Sequence, residues 1–332
     1  MGFGNPVLLG ARRYAAGVDL GVRGATLVVL SQRIVGAGPV RLEWLASAPL
    51  ARGALAGAEI VDRAAFVGAL HSVFGELPRA CAAASLRCAM ALPTSATHIA
   101  TVPLARLAPA AGVGDDSGIH DGLAPFVLAE AERVAGLERV ELAVDWHVVP
   151  AVPTHDARQA RNAHVTIAAT ARQHLEARIE CAAMAGITLC AVDDEAHAAL
   201  RAMRHAAAYE LSPLEPWVAL WVGPEGVHGW YLVDDSVIRH MRFPALEHAD
   251  LVEALRDLVD GEQAGCVQVS GELGMLRGVN FTLADIGDVL GAPVLPFECG
   301  PFGGLERPLA ASLLHDPACA VAFGLALHGV SE

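Results

Sequence analysis

The pattern of apolar and polar residues predicts two copies of one strand-rich unit. In the first copy, residues 16–30 form two apolar runs around the turn GVRG, and residues 41–47 alternate as a third strand. Apolar residues then recur at helical spacing after Asp62, which predicts a helix with Asp62 as its N-cap. A buried strand over 86–93 ends at Pro93.

The same order of elements returns from Trp217 onward. A strand, the turn GPEG, a second strand and a third strand are followed by a helix over 247–259 and a strand entering the glycine turn SGELG. A short helix, a strand and a closing helix complete this copy. Each half therefore reads as strand, turn, strand, strand, helix, strand, which indicates a duplicated architecture.

The segment between the two copies has elements of its own. Residues 106–122 are rich in Pro, Gly and Asp and predict a loop, and residues 123–137 predict a helix. Strands are predicted over 140–152 and 163–170, with a polar turn at 155–162 between them. A helix over 171–187 with Gly186 at its C′ position follows, and then a strand that runs into a helix at Asp193, Asp194 and Glu195.

Composition limits the class of protein. Among 332 residues, 54% are hydrophobic and the mean hydropathy is +0.42, which excludes a disordered chain. The net charge of -14 argues against nucleic-acid or anionic-membrane partners. The chain has no lysine, so Walker A, kinase and Schiff-base lysines are excluded.

Location is predicted from cysteine usage and the N-terminus. Seven cysteines without a CxxC pair predict buried thiols in a cytoplasmic protein. No charge-free apolar run reaches the length of a membrane span, and Arg12 and Arg13 follow the short apolar start instead of preceding it, unlike a signal peptide. We expect membrane contact only through a partner.

Several common kinds of site are not indicated. The fourteen histidines form no HxH or HExxH pair, so they predict surface or core positions and no metal site. No GxSxG is present. The glycine-rich stretch 300–304 resembles a phosphate loop but has no helix start behind it, which predicts an ordinary loop. The sequence therefore predicts no catalytic residue.

The duplicated hairpins resemble the actin-like ATPase superfamily, and in more detail the PilM family of type IV pilus assembly proteins. The similarity runs over residues 14–330 and rests on GVDLGVRGATLVVLS, CAMALPTSATHIATVPL, the segment around AVDDEAHAALRA, and ACAVAFGLALHG, in that order. The resemblance implies an α/β, actin-like (ribonuclease H-like, duplicated) bilobal fold with an inserted α+β subdomain. The expected parts are a first actin-like subdomain over 14–103, the insert over 104–192, and a second lobe with the closing helix over 193–330.

The resemblance also implies ligands and partners. Proteins of this family bind ATP with Mg²⁺, form rings or small assemblies, and dock the N-terminal cytoplasmic segment of the inner-membrane protein PilN. In this chain the positions that match the nucleotide-binding turns are Asp19, Gly21, Arg23, Gly24, Glu195, Gly223, Gly226, Gly271 and Gly274.

The chain departs from the family pattern at three turns. The first turn has lost its hydroxyl residues. The second has Trp221 where the family has an acid, and Pro224 removes one N–H. The third adds the negative charge of Glu272. These changes predict that ATP hydrolysis is absent and that ATP binding is weak or lost.

Alternatives stay open at the retained acids. Asp19 and Glu195 could still hold a metal ion or its water, or Asp19 could bond only its own turn. Asp193 or Asp194 could simply cap the next helix, and Trp221 could be a core residue.

Three functions follow, in order of preference. The first is an adaptor for a PilN-like membrane partner with a vestigial nucleotide cleft, in pilus or related secretion-filament assembly. The second is a working ATPase of the same machinery. The third is a sugar or acetate kinase relative, which Trp221 disfavours. The helix over 124–134 and the strand over 144–149 are candidates for a partner-peptide groove.

Overall fold

The computed structural model of the chain describes residues 11–21, 24–34, 38–82, 86–107, 116–149, 163–211, 215–234, 236–244, 247–304 and 309–331. The chain divides into two compact units. The first comprises Met1–Leu55, Val61–Ala91 and Cys181–Glu332, and the second comprises Ala56–Ile60 and Leu92–Glu180. The second unit thus overlaps the insert predicted over 104–192, and it begins and ends earlier along the chain.

A five-stranded sheet carries the first copy of the repeat. Its strands are β1 (Arg12–Gly21), β2 (Gly24–Arg33), β3 (Arg41–Ala48), β6 (Arg87–Leu92) and β10 (Leu189–Asp194). They lie side by side in the order β10-β6-β1-β2-β3. Strands β1 and β2 form an antiparallel hairpin that closes at the pair Gly21 and Gly24, and β1 runs parallel to β6.

A second five-stranded sheet carries the other copy. Its strands are β11 (Trp217–Gly223), β12 (Gly226–Val233), β13 (Ser236–Phe243), β14 (Cys266–Gly271) and β15 (Val294–Pro296). They lie in the order β13-β12-β11-β14-β15. The hairpin of β11 and β12 closes at Gly223 and Gly226, and β11 runs parallel to β14 as β1 does to β6. The predicted duplication is therefore present in strand order as well as in sequence.

Helices cover both sheets of the first unit. They are α1 (Arg63–Gly75), α2 (Arg79–Ala82), α6 (Glu195–Glu210), α7 (His248–Val259), α8 (Gly274–Gly278), α9 (Leu283–Leu290), α10 (Ala311–Leu314) and α11 (Ala320–Ser331). The predicted cap of α1 is confirmed, because the Asp62 carboxylate accepts a hydrogen bond of 2.9 Å from the backbone N–H of Ala65. Gly186 also has the left-handed backbone expected at a helix end, with φ of 75°.

Helix α11 lies against both β1 and α6 at very short distance. A Cβ placed on Gly17 of β1 would lie 2.0 Å from the carbonyl oxygen of Ala322, and one on Gly324 would lie 1.8 Å from that of Ala198. Only glycine permits such an approach of one backbone to another. Fully buried apolar residues such as Met203, Phe323 and Leu325 fill the core around this contact.

The second unit contains a three-stranded antiparallel sheet in the order β7-β9-β8, with β7 (Thr97–Pro103), β8 (Leu142–Val149) and β9 (His164–Ala171). Helices α3 (Leu104–Leu107) and α4 (Asp116–Ala135) contribute to its core, where Val127, Val165 and Ile167 are buried. Helix α5 (Arg172–Met184) and the two-residue strands β4 (Leu55–Ala56) and β5 (Glu59–Ile60) lie where the two units meet along the chain.

The loop predicted over 106–122 is wrong in part, because α4 already begins at Asp116. Its later turns bury Leu123, Val127 and Ala131 against the sheet. Once those turns have formed, extending the helix by one residue costs little free energy, and an acidic residue is favourable in the first turn of a helix.

The polar turn predicted over 155–162 lies outside the described residues. The stretch 300–304 contains a short 3₁₀ turn, Gly300–Phe302, with Phe302 buried.

Within the described residues, no helix has both the length and the apolar character needed to cross a membrane.

Candidate functional site

The first hairpin turn is shaped by one glycine. Gly24 has a φ of 132°, and a Cβ there would lie 2.2 Å from the carbonyl oxygen of Ala48, the last residue of β3. Gly21 has open space around it. Arg23, one of the predicted phosphate contacts, lies outside the described residues, as does Val22.

The second hairpin turn repeats this construction. Gly226 also has a φ of 132°, and its Cβ would lie 2.6 Å from the carbonyl oxygen of Phe243, the last residue of β13. In both copies a glycine with positive φ lets the hairpin end pass over the end of the third strand. The glycines at these two positions are therefore required by the hairpin itself, whether or not a ligand binds.

This equivalence leads to a stability prediction. Gly24→Ala should destabilise the protein by roughly 2–4 kcal/mol, because it combines an unfavourable φ with a clash against backbone. Gly21→Ala, three residues away in open space, is the matched control and should change stability little. Urea unfolding of both variants tests this, and equal midpoints would contradict it.

Trp221 lies in β11, two residues before the second hairpin turn. Its side chain is buried, and its Cη2 atom would lie 2.4 Å from a Cβ on Gly223, so the indole ring covers this glycine. The indole Cδ1 lies 3.0 Å from the Cβ position of Gly271. The ring also approaches the His228 ring, with a centroid distance of 5.4 Å. The predicted core position of Trp221 is confirmed, and the same ring forms a wall of the candidate site.

The two hairpins, the start of α6 and the end of β14 surround one small cavity of about 30 Å³. Its principal lining residues are Asp19, Gly21, Glu195, Trp221, Gly271 and Glu272. Four of the predicted binding residues thus come together. Gly24, Gly223, Gly226 and Gly274 do not line the cavity, and Gly274 begins a helix of only five residues.

Asp19 has an unusual environment. Its Oδ1 atom is buried and accepts no hydrogen bond from the described residues. Burial, and secondarily the charge of Glu272, raise the pKa of Asp19 to about 7. The alternative in which Asp19 bonds its own turn stays a prediction, because Val22 and Arg23 lie outside the described residues. Among the described residues, the charge that acts on Asp19 is that of a second carboxyl group, Glu272.

The acids before α6 divide between two roles. Asp194 caps α6, since its Oδ1 accepts a hydrogen bond of 2.9 Å from the backbone N–H of His197. Asp193 pairs with Arg201 at 2.8 Å. Only Glu195 lines the cavity. The capping alternative thus holds for Asp194.

Glu272, which the sequence predicts to add negative charge at the third turn, also lines the cavity and raises the pKa of Asp19. Its backbone N–H donates to the carbonyl of Val222 at 2.7 Å, which fixes the residue beside the second turn. The sequence signal was its position directly after Gly271. Ala318 and Val321, which also line the cavity, had no such signal.

These residues do not fit a triphosphate with Mg²⁺ in the arrangement observed. The cavity, of about 30 Å³, has room for two or three waters, since one water needs about 10–15 Å³. Three carboxyl groups line it, and they oppose an anionic phosphate. Trp221 covers Gly223, and Pro224 has no N–H to donate.

A cluster of histidines lies behind Trp221. The ring of His228 approaches that of His240, with Nδ1 and Nε2 at 3.3 Å. Burial first, and then the neighbouring His240, lower the pKa of His228 to about 4. In the described part of the chain, no three His, Cys, Asp or Glu side chains are arranged to hold a metal ion.

Two sheets that repeat one hairpin construction around a common cavity define an actin-like fold. A family profile described as type IV pilus assembly protein PilM matches residues 17–214. The match covers more than half of the chain, and the chain belongs to the PilM family.

Solved structures agree on the fold. The chain is similar to a protein in the PilM–PilN type IV pilus biogenesis complex, with a TM-score of 0.67 and 20% identity over 95% of this chain and 98% of that chain. The predicted α/β actin-like fold is thereby confirmed.

Weaker likenesses are to a Bacteroides thetaiotaomicron protein with an actin-like ATPase fold (TM-score 0.47, 9% identity, 88% and 93% covered) and to the cytoplasmic domain of EpsL from the Vibrio cholerae type II secretion system (TM-score 0.44, 10% identity, 96% and 95% covered). The comparison with curated proteins gave no significant match.

Proposed function

We propose that this protein is a cytoplasmic adaptor of type IV pilus or related secretion-filament assembly that docks the N-terminal segment of a PilN-like inner-membrane protein. Membership of the PilM family carries the proposal. The fold supports it, because it is shared over nearly the full length with a protein solved in a complex with PilN. The peptide groove near 124–134 and 144–149 and the assembly into rings stay predictions.

We further propose that the adaptor works without ATP. Support comes from the cavity, whose volume of about 30 Å³ is far below that of a nucleotide site. Trp221 takes the position of an acid and covers the glycine that would approach a phosphate. Glu272 places negative charge where phosphate charge would lie, beside the buried carboxyl group of Asp19.

A second candidate, an ATP-binding member of the same machinery, has one specific observation in its favour. The buried Oδ1 atom of Asp19 accepts no hydrogen bond from the described residues, which leaves it open to a ligand. A movement of Trp221 would also uncover Gly223. In this candidate Asp19 and Glu195 would be the residues nearest to a Mg²⁺ ion or its water.

Calorimetric titration tests the two candidates. We expect the full chain to bind a synthetic peptide of the cytoplasmic N-terminus of the PilN-like protein from the same organism with a Kd of about micromolar. A scrambled peptide of the same composition is the control. We expect no heat from ATP with Mg²⁺. Peptide binding that equals that of the scrambled control would contradict the adaptor role.

Variants of one residue test the nucleotide part. Trp221→Asp returns the missing acid and should introduce measurable ATP binding, whereas Trp221→Phe keeps the bulk of the ring and should not. Circular dichroism confirms that each variant is folded. Tight ATP binding by the unaltered protein, abolished in Asp19→Ala, would establish the second candidate instead.

A further inference from the structure

Two cysteines lie on neighbouring strands of the first sheet. Cys88 belongs to β6 and Cys190 to β10, and these strands are adjacent at one end of the strand order. Ala89 packs in the core beside α6 and α11, and Ala191 packs against that core. Since side chains alternate between the two faces of a sheet, Cys88 and Cys190 both point to the opposite face.

The two thiols differ in exposure. Cys88 is only 1% exposed, and Cys190 is the one exposed cysteine of the seven, all of which lie in the described part of the chain. Neighbouring strands of a sheet lie about 4.8 Å apart, which is within the range of Cα distances that a disulfide requires. The electrostatic interaction between them points the same way, since burial and then Cys190 raise the pKa of Cys88 to about 12.

We propose that Cys88 and Cys190 form a thiol-oxidation site that hydroperoxides convert to an intramolecular disulfide. The Cys190 thiolate attacks one peroxide oxygen, the O–O bond breaks, and the other oxygen leaves and is protonated, which gives a sulfenic acid. The Cys88 sulfur then attacks the Cys190 sulfur and loses its proton, the S–O bond breaks, and the departing hydroxide takes that proton and leaves as water. The peroxide is reduced by two electrons and the two thiols are oxidised by two.

The placement gives this disulfide a structural consequence. The chain leaves the first unit at the end of β6 and re-enters it shortly before β10. A bond between Cys88 and Cys190 therefore joins the outgoing strand to the returning one and closes the whole inserted segment into a covalent loop. This inference does not depend on the proposed function.

A second cysteine pair in the chain is a built-in control. The side chains of Cys299 and Cys319 form a hydrogen bond with each other, and both residues are buried in the core. They are a close pair of thiols, like Cys88 and Cys190, but they lack an exposed member. The comparison therefore tests whether oxidation requires a thiol that the peroxide can reach, and not only two thiols that lie close together.

The experiment treats the full chain with hydrogen peroxide and follows each thiol by peptide mass spectrometry under non-reducing conditions. We expect a cross-linked peptide pair that contains Cys88 and Cys190, reversed by dithiothreitol. The Cys190 thiol should be lost at least about tenfold faster than those of Cys299 and Cys319. The oxidised protein should melt at a higher temperature, because the bond closes a long loop.

Single variants separate the steps. Cys88→Ser should accumulate a Cys190 sulfenic acid that dimedone traps, and Cys190→Ser should leave Cys88 reduced. Over-oxidation of Cys190 while Cys88 keeps its thiol would overturn the proposal. So would a disulfide that joins two chains, or oxidation of Cys299 and Cys319 at the same rate as Cys190.

Discussion

Replacing Gly324 with alanine should destabilise the protein by at least about 3 kcal/mol, one of the largest effects of any single methyl group in this chain. The added Cβ would lie 1.8 Å from the carbonyl oxygen of Ala198, and backbone atoms on a packed helix cannot move aside as a flexible side chain can. Helix α11 would have to separate from α6 within the buried core. Thermal and urea unfolding measure the loss.

Gly68→Ala is the matched control for this variant. Gly68 lies on the exposed side of α1 with no atom within 4 Å of its Cβ position. There the same change should raise stability by roughly 0.5–1 kcal/mol, because alanine loses less backbone freedom in a helix than glycine. If Gly324→Ala and Gly68→Ala have equal stability, the close packing of α11 against α6 is contradicted.

The second large effect concerns pH. The folded chain holds a proton on Asp19 up to a pH of about 7, whereas an unfolded chain releases it near 3.8. Between these values the folded state binds more protons, so the free energy of unfolding falls as pH rises through this window and levels off above pH 7. The pKa difference corresponds to a cost of roughly 4 kcal/mol when Asp19 is ionised.

Asp19→Asn removes this titration. The variant should be more stable than the unaltered protein at pH 8, by roughly 2–4 kcal/mol, and should differ little at pH 4. Asp257→Asn, on the exposed side of α7, is the control for the loss of one negative charge. Urea unfolding at several pH values provides the comparison. A variant that keeps the same slope between pH 4 and 7 would refute the assignment to Asp19.

The features that could be predicted from the sequence are those that depend on residues close together along the chain. The two hairpins follow from alternation and turn glycines, and the cap of α1 follows from Asp62, because a side chain and a backbone N–H three residues apart decide it. The start of α4 was missed because burial of Leu123 and Val127, not local composition, sustains that helix.

The cavity was predictable only in outline. The resemblance places Asp19 and Glu195 as a pair of acids in one cleft, but the orientation of Trp221 over Gly223 depends on packing among α6, α11 and both sheets. The interaction of Glu272 with Asp19 joins residues from opposite halves of the chain, and no local pattern encodes the resulting pKa. Three acids that are adjacent in sequence also have different surroundings. Asp193 pairs with Arg201, Asp194 caps α6, and Glu195 lines the cavity.

The paired glycines Gly24 and Gly226 have a consequence for inferring function from motifs. Each lies so close to a carbonyl oxygen of the strand that it crosses that a Cβ has no room there, so selection for stability alone would keep it whether or not a ligand binds. A search pattern built on turn glycines would count this chain among nucleotide-binding proteins. A pattern that instead reads the residue two positions before the turn, Asp19 in one copy and Trp221 in the other, would separate the two halves of the repeat.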